Sequence, residues 1–138
     1  MFLIDTNVIS EARKGKAANG GVSVFLREAD RNGKALYLSA ITIGELQRGV
    51  RLIRHRGDLD QAERLERWLM QLIQAYQDRI LPVDSEVAML WGALRVPHPE
   101  NALDKLIAAT ACLNGLTLVT RNIRDFSETG VPLLNPFS

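Results

Sequence analysis

Short apolar runs alternate along the chain with longer segments in which apolar residues recur every three or four positions. The runs predict buried strands at residues 2–4, 35–38, 80–83, 116–120 and 131–134. The segments between them have helical spacing, most clearly after the turn at 56–58, where one face carries Ala62, Leu65, Leu69, Leu72 and Tyr76. We interpret this stripe as a face that packs on the core; the alternative is a groove for an amphipathic helix of a partner.

Polar residues and glycines set the ends of the predicted helices. Asp5 and Thr6 follow the first strand and favour a helix that continues to near Gly15. Ser39 opens a helix that runs to about residue 55, although Thr42 and Glu45 also fit a capping box. A loop is predicted at 14–21, further helices at 22–31, 84–95 and 101–114, and a helical turn at 122–126.

Strands that alternate with helices predict right-handed βαβ units. The expected fold class is therefore α/β, with a mostly parallel sheet and helices on both faces. Pro82 places the 80–83 strand at an edge of the sheet or ends it early. In folds of this class, chemistry lies at the carboxyl ends of the strands.

The composition fits one globular domain over residues 1–138. Hydrophobic residues make up 46% and charged residues 24%, which excludes disordered and collagen-like chains. Lys and Arg total 17 against 16 Asp and Glu, so any nucleic acid must be held locally or through bound cations. The single cysteine, the lack of a basic leader and the lack of an apolar run of roughly 20 residues predict a soluble cytoplasmic protein that does not enter a membrane.

Four acidic residues occupy positions where chemistry is expected. Asp5 directly follows the first strand, and Glu45 lies on the helix after the second. Asp104 interrupts an otherwise apolar helix, and Asp125 lies just past the fourth strand. Each has an ordinary structural explanation as a turn residue, a cap or a first-turn acid. Gathered in one cleft they would repel one another, and a divalent cation removes that penalty, which favours metal-assisted phosphodiester hydrolysis.

Small residues lie beside two of these acids. Thr42 and Gly49 share a helix face with Glu45, and Ala108 and Ala111 share a face with Asp104. Small side chains leave space that larger ones would fill. We therefore predict room for a ligand next to both acids.

Four blocks of sequence occur in an order and spacing that resemble a known family. The blocks are Leu3-Ile4-Asp5-Thr6-Asn7, Ser39-x-x-Thr42-x-x-Glu45, Asp104-x-x-Ile107-Ala108-Ala109-x-Ala111 and Val119-Thr120-Arg121-Asn122-x-x-Asp125-Phe126. Together they resemble the PIN-domain ribonucleases, and most closely the VapC-type toxins of bacterial toxin–antitoxin pairs in the FitB-like branch. The resemblance spans nearly the whole chain. It implies a three-layer α/β/α sandwich around a parallel sheet, with the acids at one end.

The resemblance also implies a role for each of these residues. Asp5 and Asp104 would be the main ligands of Mg²⁺ or Mn²⁺, and Glu45 would complete the acidic cluster. Some relatives carry an acid where Asn122 stands, so the fourth role would fall to Asp125, to Asn122 as a neutral ligand, or to neither. Supporting polar groups are expected from Thr6, Asn7 and Thr120, and RNA contacts from Arg121 and Arg48.

By the same resemblance the chain would be an endoribonuclease toxin that leaves a 5′-phosphate and a 3′-hydroxyl. The implied partners are a cognate VapB-type antitoxin, operator DNA reached only through that antitoxin, and a second copy of the chain in a homodimer. Two other functions stay open: a non-enzymatic PIN-fold module that acts with its antitoxin at operator DNA, and a metal-dependent DNA nuclease. The retained acids favour an enzyme, but RNA selection depends on contacts to the 2′-hydroxyl and to unstacked bases.

Overall fold

The computed structural model describes all residues from 1 to 138. The five strands are β1 (Phe2–Ile4), β2 (Leu36–Ser39), β3 (Ile80–Leu81), β4 (Thr117–Val119) and β5 (Leu133–Leu134). The seven α-helices are α1 (Thr6–Ala12), α2 (Gly20–Arg31), α3 (Ala40–His55), α4 (Leu59–Ala75), α5 (Ser85–Leu94), α6 (Ala102–Leu113) and α7 (Ile123–Phe126). None of these helices is long and apolar enough to cross a membrane.

The strands form one parallel sheet in the order β3-β2-β1-β4-β5, with helices on both faces. The predicted α/β/α sandwich is therefore confirmed. β3 lies at an edge and ends at Leu81, two residues before the predicted end, because Pro82 has no N–H to donate to a neighbouring strand. β1 is the central strand and pairs with β2 on one side and β4 on the other.

Successive residues of β1 point to opposite faces of the sheet and begin two separate cores. Ile4 belongs to a cluster formed with α1 to α4, and Leu3 belongs to a cluster formed with α6 and α7. Both side chains are completely buried. The three apolar residues of β1 therefore hold the two helical layers against the sheet and fix where the chain leaves it.

The structure decides two alternatives that the sequence left open: which residue caps α3, and whether the apolar face of α4 packs on the core. The Ser39 hydroxyl accepts a hydrogen bond from the Ile41 N–H, so Ser39 caps α3 and Thr42 lies inside the helix, buried. The apolar stripe of α4 packs against the core, with Leu69 buried and Trp68 half-buried beside it. The interpretation of that stripe as core packing is confirmed.

The prediction of ligand space beside Asp104 is wrong. Ala108 and Ala111 are completely buried and pack in the same core cluster as Leu3 and Ile107. They are small because α6 packs closely on the sheet, where a larger side chain would have no room. The Asp104 end of α6 is open to solvent, but these alanines do not line it.

Candidate active site

The carboxyl ends of β1 and β4 bring the first two site residues together. Ile4 and Val119 are partners in the parallel ladder, so Asp5 and Thr120 leave the sheet side by side. The Asp5 N–H donates to the Val119 carbonyl at 2.9 Å. Asp5 is 4% exposed and Thr120 is fully buried, so both side chains are held within the body of the protein.

Three donors fix the Asp5 carboxylate. Oδ1 accepts from the Thr6 N–H at 2.8 Å, which also caps α1. Oδ2 accepts from the Thr120 hydroxyl at 2.8 Å and from the Asn7 amide at 3.2 Å. Because each carboxylate oxygen offers two lone pairs, Oδ2 is saturated and Oδ1 keeps one for a further partner. The chain therefore orients Asp5 with a free acceptor site.

The Thr120-Arg121-Asn122 block is explained by one local network. The Thr120 hydroxyl oxygen accepts a hydrogen bond from the Asn122 N–H at 3.0 Å, and the same hydroxyl donates a hydrogen bond to Asp5. The Asn7 side-chain oxygen accepts from the Arg121 N–H at 3.1 Å. Thr120 and Asn7 thus hold the turn after β4 against the start of α1, in supporting positions as predicted.

Glu45 reaches the same region from α3. Its Oε1 accepts from the Thr6 hydroxyl at 2.7 Å, and that hydroxyl lies 3.2 Å from the Thr42 hydroxyl. The Thr6 backbone N–H binds Asp5 and the Thr6 hydroxyl binds Glu45, so Thr6 links the two acids. This arrangement holds two acids in place without neutralising either.

Two side chains fix the start of α6, which carries Asp104 in its first turn. The Trp91 indole N–H donates to the Ala102 carbonyl at 2.8 Å. Lys105, buried except for 5% of its surface, donates to the His98 carbonyl. The segment between α5 and α6 ends with Asn101 at φ 57°, a left-handed conformation that asparagine tolerates. These contacts set the direction in which the half-buried Asp104 enters the site.

The pKa values of two carboxyls report the crowding of acids. Desolvation raises the pKa of Asp104 to about 6, and the charges of Asp5, Asp125 and Glu45 add to the shift. Desolvation also raises the pKa of Asp5, against the lowering effect of its hydrogen bonds, and the charge of Asp125 adds to it. Asp104 therefore lies within electrostatic reach of the other three acids, and Asp5 within reach of Asp125.

Asp125 and Asn122 differ in what they contribute to this arrangement. Asp125 is exposed in the first turn of α7, and its charge acts on both Asp5 and Asp104. Asn122 precedes α7 without a side-chain capping bond and contributes its backbone N–H to Thr120. The effect of its charge favours Asp125 over Asn122 for the fourth role in the site. That role stays a prediction.

The donor set fits a hard divalent cation. Carboxylate oxygens are the ligands that Mg²⁺ prefers, and its usual protein complement is one or two carboxylates completed by waters and substrate phosphate. In the structure no three acidic, histidine or cysteine side chains stand close enough to hold a metal ion by themselves. Asp5 would bind such an ion through its free lone pair. The positive charge of the ion would also relieve the repulsion between Asp104 and the other acids.

A cavity of about 200 Å³ adjoins Glu45 and Thr6. Its polar lining includes Ser10 and Arg13, which the sequence analysis missed. Both follow Thr6 on the same face of α1, at i+4 and i+7, and that spacing is visible in the sequence. Gly49 also lines this cavity, so the predicted space beside Glu45 is confirmed. The predicted RNA contacts Arg48 and Arg121 are both exposed.

Replacing Asp104 with asparagine is expected to stabilise the metal-free protein near neutral pH. The pKa of Asp104 is higher in the folded chain than its ordinary value of 3.8, so its contribution favours folding below about pH 4 and is lost as pH rises through about 6. Above that range the carboxylate opposes folding by roughly 1 kcal/mol after allowance for solvent screening. Urea unfolding in chelator should show a gain for Asp104→Asn that is about twice as large at pH 7.5 as at pH 5, because at pH 5 the carboxyl is ionised in the unfolded chain but still protonated in the folded one.

Asp60→Asn is the matched control for this measurement. Asp60 lies in the first turn of α4 and is exposed, so its substitution removes a comparable helix-terminal charge away from the other acids. We expect no gain in the free energy of unfolding from Asp60→Asn. A loss of stability in Asp104→Asn near neutral pH would contradict the repulsion that the structure indicates.

Comparison with known proteins agrees with this geometry. The family model described as PIN domain matches residues 2–132. The chain is 36% identical to Toxin FitB of Neisseria gonorrhoeae, with 99% of both chains covered. It is 31% identical to VapC ribonuclease Y4jK of Sinorhizobium fredii, covering 99% of this chain and 98% of that one. A solved structure of FitAB bound to a DNA fragment contains a chain of TM-score 0.76 and 34% identity, covering 100% of this chain and 96% of that chain.

The matched segment begins in β1 and extends into the turn before β5, so it contains all four acids and the elements that carry them. The two relatives align with this chain over nearly their whole length. The chain belongs to the PIN domain family, whose VapC members are nucleases.

Proposed function

We propose that this protein is a metal-dependent endoribonuclease toxin of a type II toxin–antitoxin system. The observation that carries the proposal is the Asp5 carboxylate, which is fixed at the end of β1, linked through Thr6 to Glu45, and close enough to Asp104 and Asp125 for the charges to interact. Binding modules do not need such a cluster, which costs folding free energy through repulsion. The names of the relatives, a toxin and a VapC ribonuclease, support the same activity.

In the proposed hydrolysis of a phosphodiester, each residue of the candidate site has a separate role. Asp5 and Asp104 would hold Mg²⁺ or Mn²⁺, which when bound polarises a phosphate and lowers the pKa of a water for in-line attack. Thr120 and Asn7 keep the Asp5 carboxylate in one orientation. Thr6 keeps Glu45 in place, where its carboxylate can accept a proton from the attacking water. Cleavage would leave a 5′-phosphate and a 3′-hydroxyl.

The proposal includes a cognate antitoxin of the VapB type. The solved relatives include FitAB bound to DNA and VapBC of Rickettsia felis bound to a promoter DNA fragment. For this chain we propose a complex in which operator DNA is reached through the antitoxin, and a homodimer of the toxin. The net charge of +1 supports it, because a chain with nearly balanced charge has little overall attraction for duplex DNA.

The test is cleavage of a cellular RNA pool by purified, antitoxin-free protein with Mg²⁺, with Mn²⁺ and with chelator. We expect discrete fragments that need the metal and that carry 5′-phosphates. Single-stranded DNA is the parallel substrate. Cleavage of DNA but not RNA would make the protein a DNA nuclease, and cleavage of neither would favour the non-enzymatic module.

A further inference from the structure

The residues after β5 pack against the start of α2, next to the candidate site. We call residues 135–138 the tail segment. The Asn19 side chain accepts from the Ser138 N–H at 3.0 Å and donates to the Ser138 carbonyl at 3.1 Å. The Gly21 N–H donates to the Ser138 hydroxyl at 3.1 Å. With the bond from the Ser138 hydroxyl to the Asn19 side-chain oxygen at 3.3 Å, four hydrogen bonds hold the tail segment where α2 begins.

Two adjacent glycines show how closely the tail segment approaches. A Cβ on Gly21 would overlap the Pro136 carbonyl oxygen and lie 2.8 Å from the Ser138 nitrogen. A Cβ on Gly20 would meet only the Ser138 hydroxyl, at an ordinary 3.9 Å. Position 21 therefore needs glycine for the tail segment to sit as it does, whereas position 20 does not.

The seated tail segment places an aromatic ring under an arginine of the site. Phe137 packs on the core cluster of the α1 to α4 layer, and the Arg121 guanidinium lies over its ring, 4.8 Å from the centroid. Arg121 directly follows Thr120, the donor to Asp5, and its own N–H is bound by Asn7. The backbone and the guanidinium of Arg121 are thus both fixed.

A carboxylate on α1 acts on the same guanidinium. The pKa of Glu11 is lowered, mainly by the hydrogen bond from Lys14 and also by the positive charge of Arg121. Glu11 accepts from the Asn19 N–H at 2.8 Å, so it belongs to the same contact between α1, α2 and the tail segment. The guanidinium is therefore held by a ring on one side and attracted by a carboxylate nearby, while Arg121 stays exposed to solvent.

We propose that Phe137 is a positioning residue, which holds the guanidinium of Arg121 in one place just after Thr120, so that it meets a phosphate of the RNA substrate. This inference rests on the proposed nuclease function. A guanidinium matches two phosphate oxygens at once. Holding it in one conformation before the substrate arrives removes part of the ordering cost of binding.

The test is a double-mutant cycle on kcat and KM for a single-stranded RNA of random sequence, with Mn²⁺ affinity measured in parallel. Arg121→Gln should raise KM about tenfold, as expected for loss of one charge-assisted contact, and lower the salt slope of binding by about 1. Phe137→Leu should raise KM roughly threefold and leave kcat and Mn²⁺ affinity unchanged. In the Arg121→Gln background, Phe137→Leu should have no further effect on KM.

Three further variants separate positioning from folding. Phe137→Tyr keeps the ring and should retain the native KM. Gly21→Ala should raise KM as Phe137→Leu does, and Gly20→Ala should not. A Phe137→Leu effect that persists in the Arg121→Gln background, or that appears in kcat and Mn²⁺ affinity, would overturn the inference. Absence of any cleavage by the unmodified protein would instead overturn the proposed function.

Discussion

Asp5→Asn is expected to lower the rate of RNA cleavage by roughly two to three orders of magnitude, the loss typical when one electrostatic group is removed from a reaction centre. Asparagine is a good helix cap and can still accept the Thr6 N–H, so α1 keeps its start. What disappears is the negative charge toward which the Thr120 hydroxyl points. Mn²⁺ affinity should fall with the rate, by at least about tenfold.

Asp84→Asn is the matched control. Asp84 caps α5, where its side chain accepts from the Val87 N–H at 2.9 Å, and the residue is exposed. It makes the same kind of capping bond as Asp5 but contributes no charge to the acidic cluster. Single-turnover cleavage by Asp84→Asn should match the unmodified protein. Full activity in Asp5→Asn would remove Asp5 from the mechanism.

Phe126→Ala is expected to lower the free energy of unfolding by about 3–5 kcal/mol. Phe126 is completely buried at the end of α7 and is the largest of the fully buried side chains. It packs in the cluster that contains Leu3 of the central strand and Ile107 of α6. Its removal leaves a cavity where α7 meets the sheet, and Asp125, the preceding residue, loses its anchor.

Urea unfolding measures this loss directly, and Met89→Ala is its control. Met89 is 78% exposed on α5, so its truncation should change the free energy of unfolding by no more than about 0.5 kcal/mol. A Phe126→Ala loss below about 1 kcal/mol would mean that α7 does not depend on this side chain. At temperatures where Phe126→Ala stays folded, we expect it to cleave RNA more slowly because Asp125 is less well placed.

Local patterns predicted α1, α3 and α5 well because each of these helices begins at a capping residue. Asp5, Ser39 and Asp84 all cap the helices that they were expected to begin, and each accepts a backbone N–H. The capping box at Thr42 and Glu45 was the competing reading. Its failure has a tertiary cause, since both side chains turn toward Thr6, which lies far away in the sequence.

The residues of the candidate site were proposed from the sequence and stay a prediction, whereas the contacts between them could not be predicted. The order of strands brings Asp5 beside Thr120, which no local pattern indicates. Ala108 and Ala111 were misinterpreted because a small residue beside an acid looks the same whether it faces a ligand or a closely packed sheet. The position of Phe137 under Arg121 depends on the Gly21 contact, which joins segments from opposite parts of the chain.

The hydrogen bond between Asp5 and Thr120 joins residues 115 positions apart and has a consequence for biosynthesis. A ribosome delivers Asp5 early, with β1, but β1 lacks one of its two neighbours until β4 has been made. Domains fold as units during synthesis, and here the unit needs its late strand to bury its first one. Partly translated chains therefore carry Asp5 without the strand that supplies its Thr120 partner, and the candidate site is assembled only after β4 has been made.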